Sequence, residues 1–200
     1  MEIVTKHGKP IYTNNTVTNE RELLEEALDK NVDISNIDLS HHDLSFFDFS
    51  NLQLTGAKFT GANLEGAQFQ KATLNGSKFD QAILKNANLS HSSLIWCDFQ
   101  NANLLSADLT QSLLQGAQFQ NASLQKADLS GASLYGASLN NANLMWANLC
   151  GVELSGADLS ACDLYGAFMD MKAVLRTNFR SVNLQNTMLS NSLLQLSLPV

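Results

Sequence analysis

From Ile34 to Leu194 the chain places a large apolar residue at every fifth position without one slip of phase. Of those 33 positions, 30 are Leu or Phe, and the others are Ile34, Met169 and Val174. Five matches neither the 3.6-residue period of an amphipathic helix nor the two-residue alternation of a strand. Two further positions obey the same phase. The residue two before the centre is Ala in 17 of 28 cases between Ala57 and Ser192. Residues two apart on an extended segment point to the same side, so each pentapeptide sends one large and one small side chain inward. The residue two after the centre is Gly or Asn in 18 of the 33 cases, and these types accept positive φ at low cost. A short extended side followed by a corner, repeated without interruption, coils the chain about an axis. The sequence therefore predicts an all-β solenoid.

The number of sides follows from phenylalanine. Phe59, Phe79, Phe99, Phe119 and Phe179 are separated by multiples of twenty, and Phe49 and Phe69 are twenty apart. A twenty-residue coil would stack their rings in internal columns. "ADLSG" at 127 to 131, "GANLEGAQF" at 61 to 69 and "NNANLMWANL" at 140 to 149 fit A(D/N)LXX, and on these copies the sequence resembles the pentapeptide-repeat family. The resemblance implies a right-handed quadrilateral β-helix with four pentapeptides per coil, here about eight coils over residues 32–198.

Residues 1–31 read as a small α/β cap. "EIVT" and "PIYT" flank a "KHGK" turn as a hairpin, and "NERELLEEALDKN" reads as a short helix. Asn19 is its expected N-cap with Glu22 three residues later; Leu23, Leu24, Ala27 and Leu28 form one apolar stripe; Asn31 is a left-handed stop. The inward small position is oversized just after this helix, at Val32, Ile37, His42, Phe47 and Leu52. The segment resembles those that open enterobacterial and phage members of the family. At the other end, Met188, Leu193, Leu196 and Leu198 make an apolar terminus, from which a homodimer through the C-terminal coil is expected. In "FMDMKAVLRTNF", residues 168–179, Lys172 stands where Ala belongs, so a bulge or an outward turn is expected there.

Chemistry-bearing constellations are sparse. Cys97 and Cys162 fall on inward small positions and Cys150 points outward, with no CxxC spacing. His41 and His42 face opposite ways on an extended chain. The glycines at five-residue intervals are not followed by GK(S/T) and read as corners. A lumen filled by Leu, Phe and Ala offers no water-poor polar pocket. No catalytic, cofactor or metal residue is therefore assigned, and a non-enzymatic protein-interaction module with an unknown protein partner is the expectation.

Outward apolar residues are its best contact candidates. Leu105, Met145, Trp146 and Tyr165 share one side, and Ile95, Trp96, Tyr135 and Leu175 the opposite one. The alternative comes from the resemblance: some family members mimic B-form DNA, bind type II topoisomerases such as gyrase, and protect them from quinolones or toxins. Asp98, Asp108, Asp128 and Asp158 are the acidic candidates for that role. The formal charge is −7, and the repeat region carries 13 acidic against 8 basic residues, a net of −5. No side bears a continuous acidic stripe, and Lys58, Lys71, Lys78 and Lys85 make the early coils basic. Direct nucleic-acid binding is not expected of an acidic chain, nor is membrane contact. The N-terminus lacks a signal-peptide layout, so a cytoplasmic protein is expected.

Overall fold

The computed structural model describes residues 2–16, 19–170 and 188–189. Every parallel bridge from Asp38↔Lys58 to Asn143↔Asp163 joins residues twenty apart. The same spacing continues through the short strands β3 (Asn148–Leu149), β4 (Phe168–Met169) and β5 (Met188–Leu189), which pair in parallel in that order. Bridges begin at Asp38, Asp43, Asp48 and Gln53, so four ladders run through each twenty-residue repeat. The chain is a β-solenoid.

The backbone bonding of one pentapeptide shows why five residues suffice. The N–H of Leu64 donates to the Ile83 carbonyl at 2.7 Å, and that of Gly66 to Lys85 at 2.9 Å, both in the next coil. Asn63 donates back to His42 in the previous coil at 2.9 Å, and Ala62 donates across the corner to Phe59 at 3.0 Å. Four of five N–H groups are thereby paired by backbone alone, as buried peptide groups require. The fifth, on the residue after the centre, is left to a side chain.

Inside, the central Leu and Phe are almost wholly buried beside Ala. Phe59, Phe79, Phe99 and Phe119 stack at centroid distances of 4.9, 4.9 and 4.8 Å with nearly parallel planes. Phe49 and Phe69 stack at 4.8 Å. The two columns meet edge to face, at 5.6 Å for Phe49–Phe59 and 5.9 Å for Phe69–Phe79, the arrangement that ring quadrupoles favour. Where the small inward position carries a polar atom, a carbonyl receives it: Ser77 Oγ donates to Leu54 at 2.9 Å, and Cys97 Sγ to Leu74 at 3.0 Å.

Before the coil, β1 (Glu2–Val4) and β2 (Pro10–Thr13) pair antiparallel, and α1 spans Glu20–Asp29. The Asn19 side chain accepts the Glu22 N–H at 2.8 Å, and Asn31 has φ of 54°. The end of β1 and the residues just after it lie on the first coil's open edge. Lys6 N–H donates to Asn36 at 2.7 Å, Asp38 N–H donates to Val4 at 2.9 Å, and Thr5 bridges Ile37. Backbone groups that have no earlier coil to pair with are covered in this way. Leu23, Leu24 and Ala27 are buried in one core with Ile37 and Phe47. The Arg21 guanidinium stands 5.1 Å over the Phe47 ring. His42 is the exception to inward filling: its Nε2 lies 2.8 Å from a Glu20 carboxylate oxygen, at the rim between α1 and the coil.

Of the segment expected to be irregular, Phe168, Met169 and Asp170 are described. Met169 is buried, and Asp170 accepts the Gly151 N–H at 2.7 Å. Lys172 lies outside the described residues, as do Leu175, Phe179, Leu193, Leu196 and Leu198; Met188 is described as the backbone of β5 only.

Candidate interaction surface

Three rows face outward, before the central residue, after it and at the corner, and the first and last of these have a structural duty. The first precedes the central residue. Every Asp or Asn there between Asp33 and Asp163 accepts, through Oδ1, the N–H of the residue after the centre. This is the N–H that the ladders leave over, and short side chains that bond their own backbone two residues on suit it. The bond holds the carboxyls of Asp33 and Asp43 below the usual aspartate range through the N–H groups of Ser35 and Ser45, and that of Asp48 through the Ser50 hydroxyl and N–H.

The four acidic candidates are used in the same manner. Asp98 accepts from Gln100 at 3.1 Å, Asp108 from Thr110 at 2.9 Å, Asp128 from Ser130 at 2.8 Å and Asp158 from Ser160 at 2.9 Å. Asp108 and Asp128 are ladder neighbours, and Asn148 and Phe168 follow them. Between Asp98 and Asp158 the ladder passes through Gln118 and Ser138.

The last row is the corner. From Asn36 to Gly166 every corner residue has positive φ, whatever its type, including Phe46, Trp96 and Trp146 at 58°, 59° and 62°. Glycine and asparagine alone do not mark the corner, because the ladder imposes the conformation on bulky residues too. Bulky residues there lie over the corner of the next coil. A Cβ placed on Gly116 would come 2.3 Å from the Trp96 ring, one on Gly66 2.5 Å from Phe46, and one on Gly166 2.5 Å from Trp146. The glycine is thus required by the residue twenty positions earlier.

The partner-surface candidates separate under this geometry. Trp146 and Tyr165 meet edge to face at 5.5 Å. Met145 is adjacent, its Sδ 3.7 Å from Gln125 Nε2. Leu105 lies two coils below Met145, with Gln125 between them. Phe168, not singled out by the sequence, completes the cluster: an aromatic in the outward row before the centre was the signal. Trp146 and Phe168, 42% and 40% exposed, line an open groove with Lys126, Asp128, Asn148 and Cys150. Burial and the Asp170 and Asp128 carboxylates raise the Cys150 thiol, which disfavours a thiolate there. On the opposite side Trp96 and Tyr135 are more open, 70% and 61% exposed.

Among the described residues no group of three or more His, Cys, Asp and Glu could hold a metal ion, and no helix is long and apolar enough to cross a membrane. Several solved structures are similar to the chain. A trypsin-treated variant of QnrB1, a plasmid-mediated fluoroquinolone resistance protein, is 20% identical over 80% of this chain and 90% of its own, with a TM-score of 0.43. A pentapeptide repeat protein of the Arabidopsis thaliana thylakoid lumen is 30% identical over 62% and 70%, with a TM-score of 0.37. HetL, involved in heterocyst differentiation regulation in the cyanobacterium Nostoc, is 21% identical over 84% and 93%, with a TM-score of 0.28. No curated protein matches the chain. The model for the pentapeptide repeat region matches residues 76–149, and that for eight copies of pentapeptide repeats matches 30–67 and 142–171. With the five-residue phase and the twenty-residue ladders, these matches place the chain in the pentapeptide repeat family.

Proposed function

We propose that this protein is a non-enzymatic interaction module acting in the cytoplasm, which binds a protein partner through the side carrying Met145, Trp146 and Tyr165 together with Phe168 on the adjoining side. Its frame is a right-handed, four-sided coil of about eight turns over residues 32–198, capped by residues 1–31. The single observation behind the reading is the Trp146–Tyr165 pair, held at 5.5 Å beside the half-exposed Phe168. Clustered, preoriented aromatics on an outer face supply contact area at low entropic cost. An apolar C-terminal end at Met188, Leu193, Leu196 and Leu198 supports a two-fold dimer, tested by sedimentation of the chain and of a Leu193→Asp/Leu198→Asp variant.

Gyrase binding by DNA mimicry is the competing reading. It requires a run of unpaired charge, whereas Asp108–Asp128 is the one adjacent acidic pair among the four candidate residues and each of these carboxylates already serves a backbone N–H. Immobilised protein would be challenged with lysate of the source organism at about 1 M salt, where screening acts within roughly 3 Å. Capture that survives salt and an Asp98→Asn/Asp108→Asn/Asp158→Asn change, at the three acidic candidates outside the groove, and fails with Trp146→Ser/Tyr165→Ser, is the expected result. Asn is the informative replacement because it removes charge and keeps the backbone bond. Protection of gyrase supercoiling from a quinolone at near-stoichiometric protein, lost on the Asn changes, would favour the mimic instead.

A further inference from the structure

The N-terminal turn and the early coils leave a concavity that neither reading uses. Lys6, His7, Gly56, Lys58, Gly76 and Lys78 line it, in a chain of net charge −7. Its parts are fixed rather than fortuitously close. The turn is held by Thr5, whose N–H donates to Lys9 at 2.8 Å and whose carbonyl accepts from Gly8 at 2.8 Å. The Thr5 hydroxyl accepts the Lys9 N–H at 3.1 Å. The Lys6 backbone is tied to Asn36 in the first coil. On the coil side, Lys58 and Lys78 are successive residues of one ladder.

The floor is bare because both corners are glycine. A Cβ on Gly56 would come 2.6 Å from Asn36 Oδ1 and 3.2 Å from Lys6 Nζ, so a side chain there would press on the groove's own residues. Gly76 has no such neighbour: nothing lies within 4 Å of its Cβ position. Corners elsewhere hold Asn, Gln, Lys and even Trp at the same φ, so packing does not demand glycine at 76. Its effect is to keep the concavity open.

Charge is incompletely balanced there. Lys58 pairs with Asp38 at 3.3 Å, while neither Lys6 nor Lys78 has a carboxylate within 4 Å among the described residues; Asp98 is the next ladder neighbour of Lys78. The Gly56 and Gly76 N–H groups are spent on Asn75 and Ile95, which leaves ammonium groups as the donors. We propose that this groove binds a multiply charged oxyanion of the phosphate class. Two ammonium groups with no carboxylate partner, beside a third shared with Asp38, suit an anion that spreads charge over several oxygens.

The test is a titration of the full chain with inorganic phosphate, and separately with phosphoethanolamine as a monoester, followed by amide NMR at constant ionic strength. Saturable shifts confined to residues 6–8, 56–58 and 76–78 are expected. Lys6→Gln and Lys78→Gln should each weaken binding roughly tenfold, and Gly76→Asn, which suits the corner and fills the floor, should abolish it without lowering the thermal midpoint. Saturation by either probe supports the site, and the tighter probe tells whether the anion is free or esterified. Linear, non-saturating shifts with both, or saturation indifferent to all three variants, would overturn it. The outcome is independent of partner capture at Trp146.

Discussion

The lumen and the corner row of this solenoid share a period and obey different rules. In the lumen, position fixes residue type: Leu or Phe at the centre, Ala or another small residue two before it, nearly all fully buried. At the corners, position fixes backbone conformation and leaves the residue open, so that Gly, Asn, Lys and Trp all stand at positive φ. A bulky ring does restrict the corner twenty residues later, as Trp146 restricts Gly166. Burial constrains volume, and the ladder constrains geometry. Function has room where only the second applies.

The largest expected effect is in the lumen. Ala122→Phe inserts a ring into a column whose neighbours at 102 and 142 are also buried Ala, and overpacking should cost at least about 1 to 3 kcal/mol. An unchanged thermal midpoint would break the comparison at its firmer half. Next come two glycine-to-alanine changes at corners. Both carry the left-handed penalty of about 1 to 2 kcal/mol, but Gly166→Ala also pushes against Trp146 whereas Gly76→Ala meets nothing. Gly166→Ala should therefore be the costlier and should shift Trp fluorescence, with Gly76→Ala spectrally silent; equal costs and spectra would erase the neighbour rule.

The outward row sharpens the contrast further. Asp48→Ala removes the acceptor for the Ser50 N–H at 2.9 Å and should destabilise by about 1 kcal/mol, while Asp48→Asn should be close to neutral. Denaturant midpoints of the two variants decide it.

The smallest effects are in pH. The lowered carboxyls of Asp33, Asp43 and Asp48 favour folding while ionised, so their contribution is present above the ordinary aspartate range and is lost as pH falls through the depressed folded values. The thiols of Cys97 and Cys162, pushed up to about 12 by burial, favour folding while neutral. Their contribution is full below the ordinary thiol value near 9 and is lost as pH rises from there toward 12. Thermal midpoints across pH should sag at both extremes, and Cys97→Ala should lessen the alkaline loss.

The inside was legible from sequence because burial leaves a compositional trace at each position. The Phe columns could be counted modulo twenty before any ring was seen. Asp and Asn before the centre were legible as a pattern but not as a device, since the N–H they serve is identified only once the other four are accounted for. Corners were half legible: Gly and Asn advertise positive φ, whereas Trp96 and Trp146 hide it. Phe168 was missed because its neighbourhood with Trp146 depends on a turn of the coil that a linear reading does not display. The C-terminal residues from Leu193 to Leu198 lie outside the described residues.

Because each ladder step spans twenty residues, residue number doubles as an address: the remainder after division by twenty gives the side, and the quotient gives the height. Inserting or excising one twenty-residue unit would leave every column in register and move the lysine-lined groove and the Trp146 cluster apart or together by one strand spacing, about 4.8 Å. Five residues more or fewer would instead carry one site round to an adjacent side. The chain is a graduated rule, on which the separation and the bearing of two surface sites can be set independently by length alone.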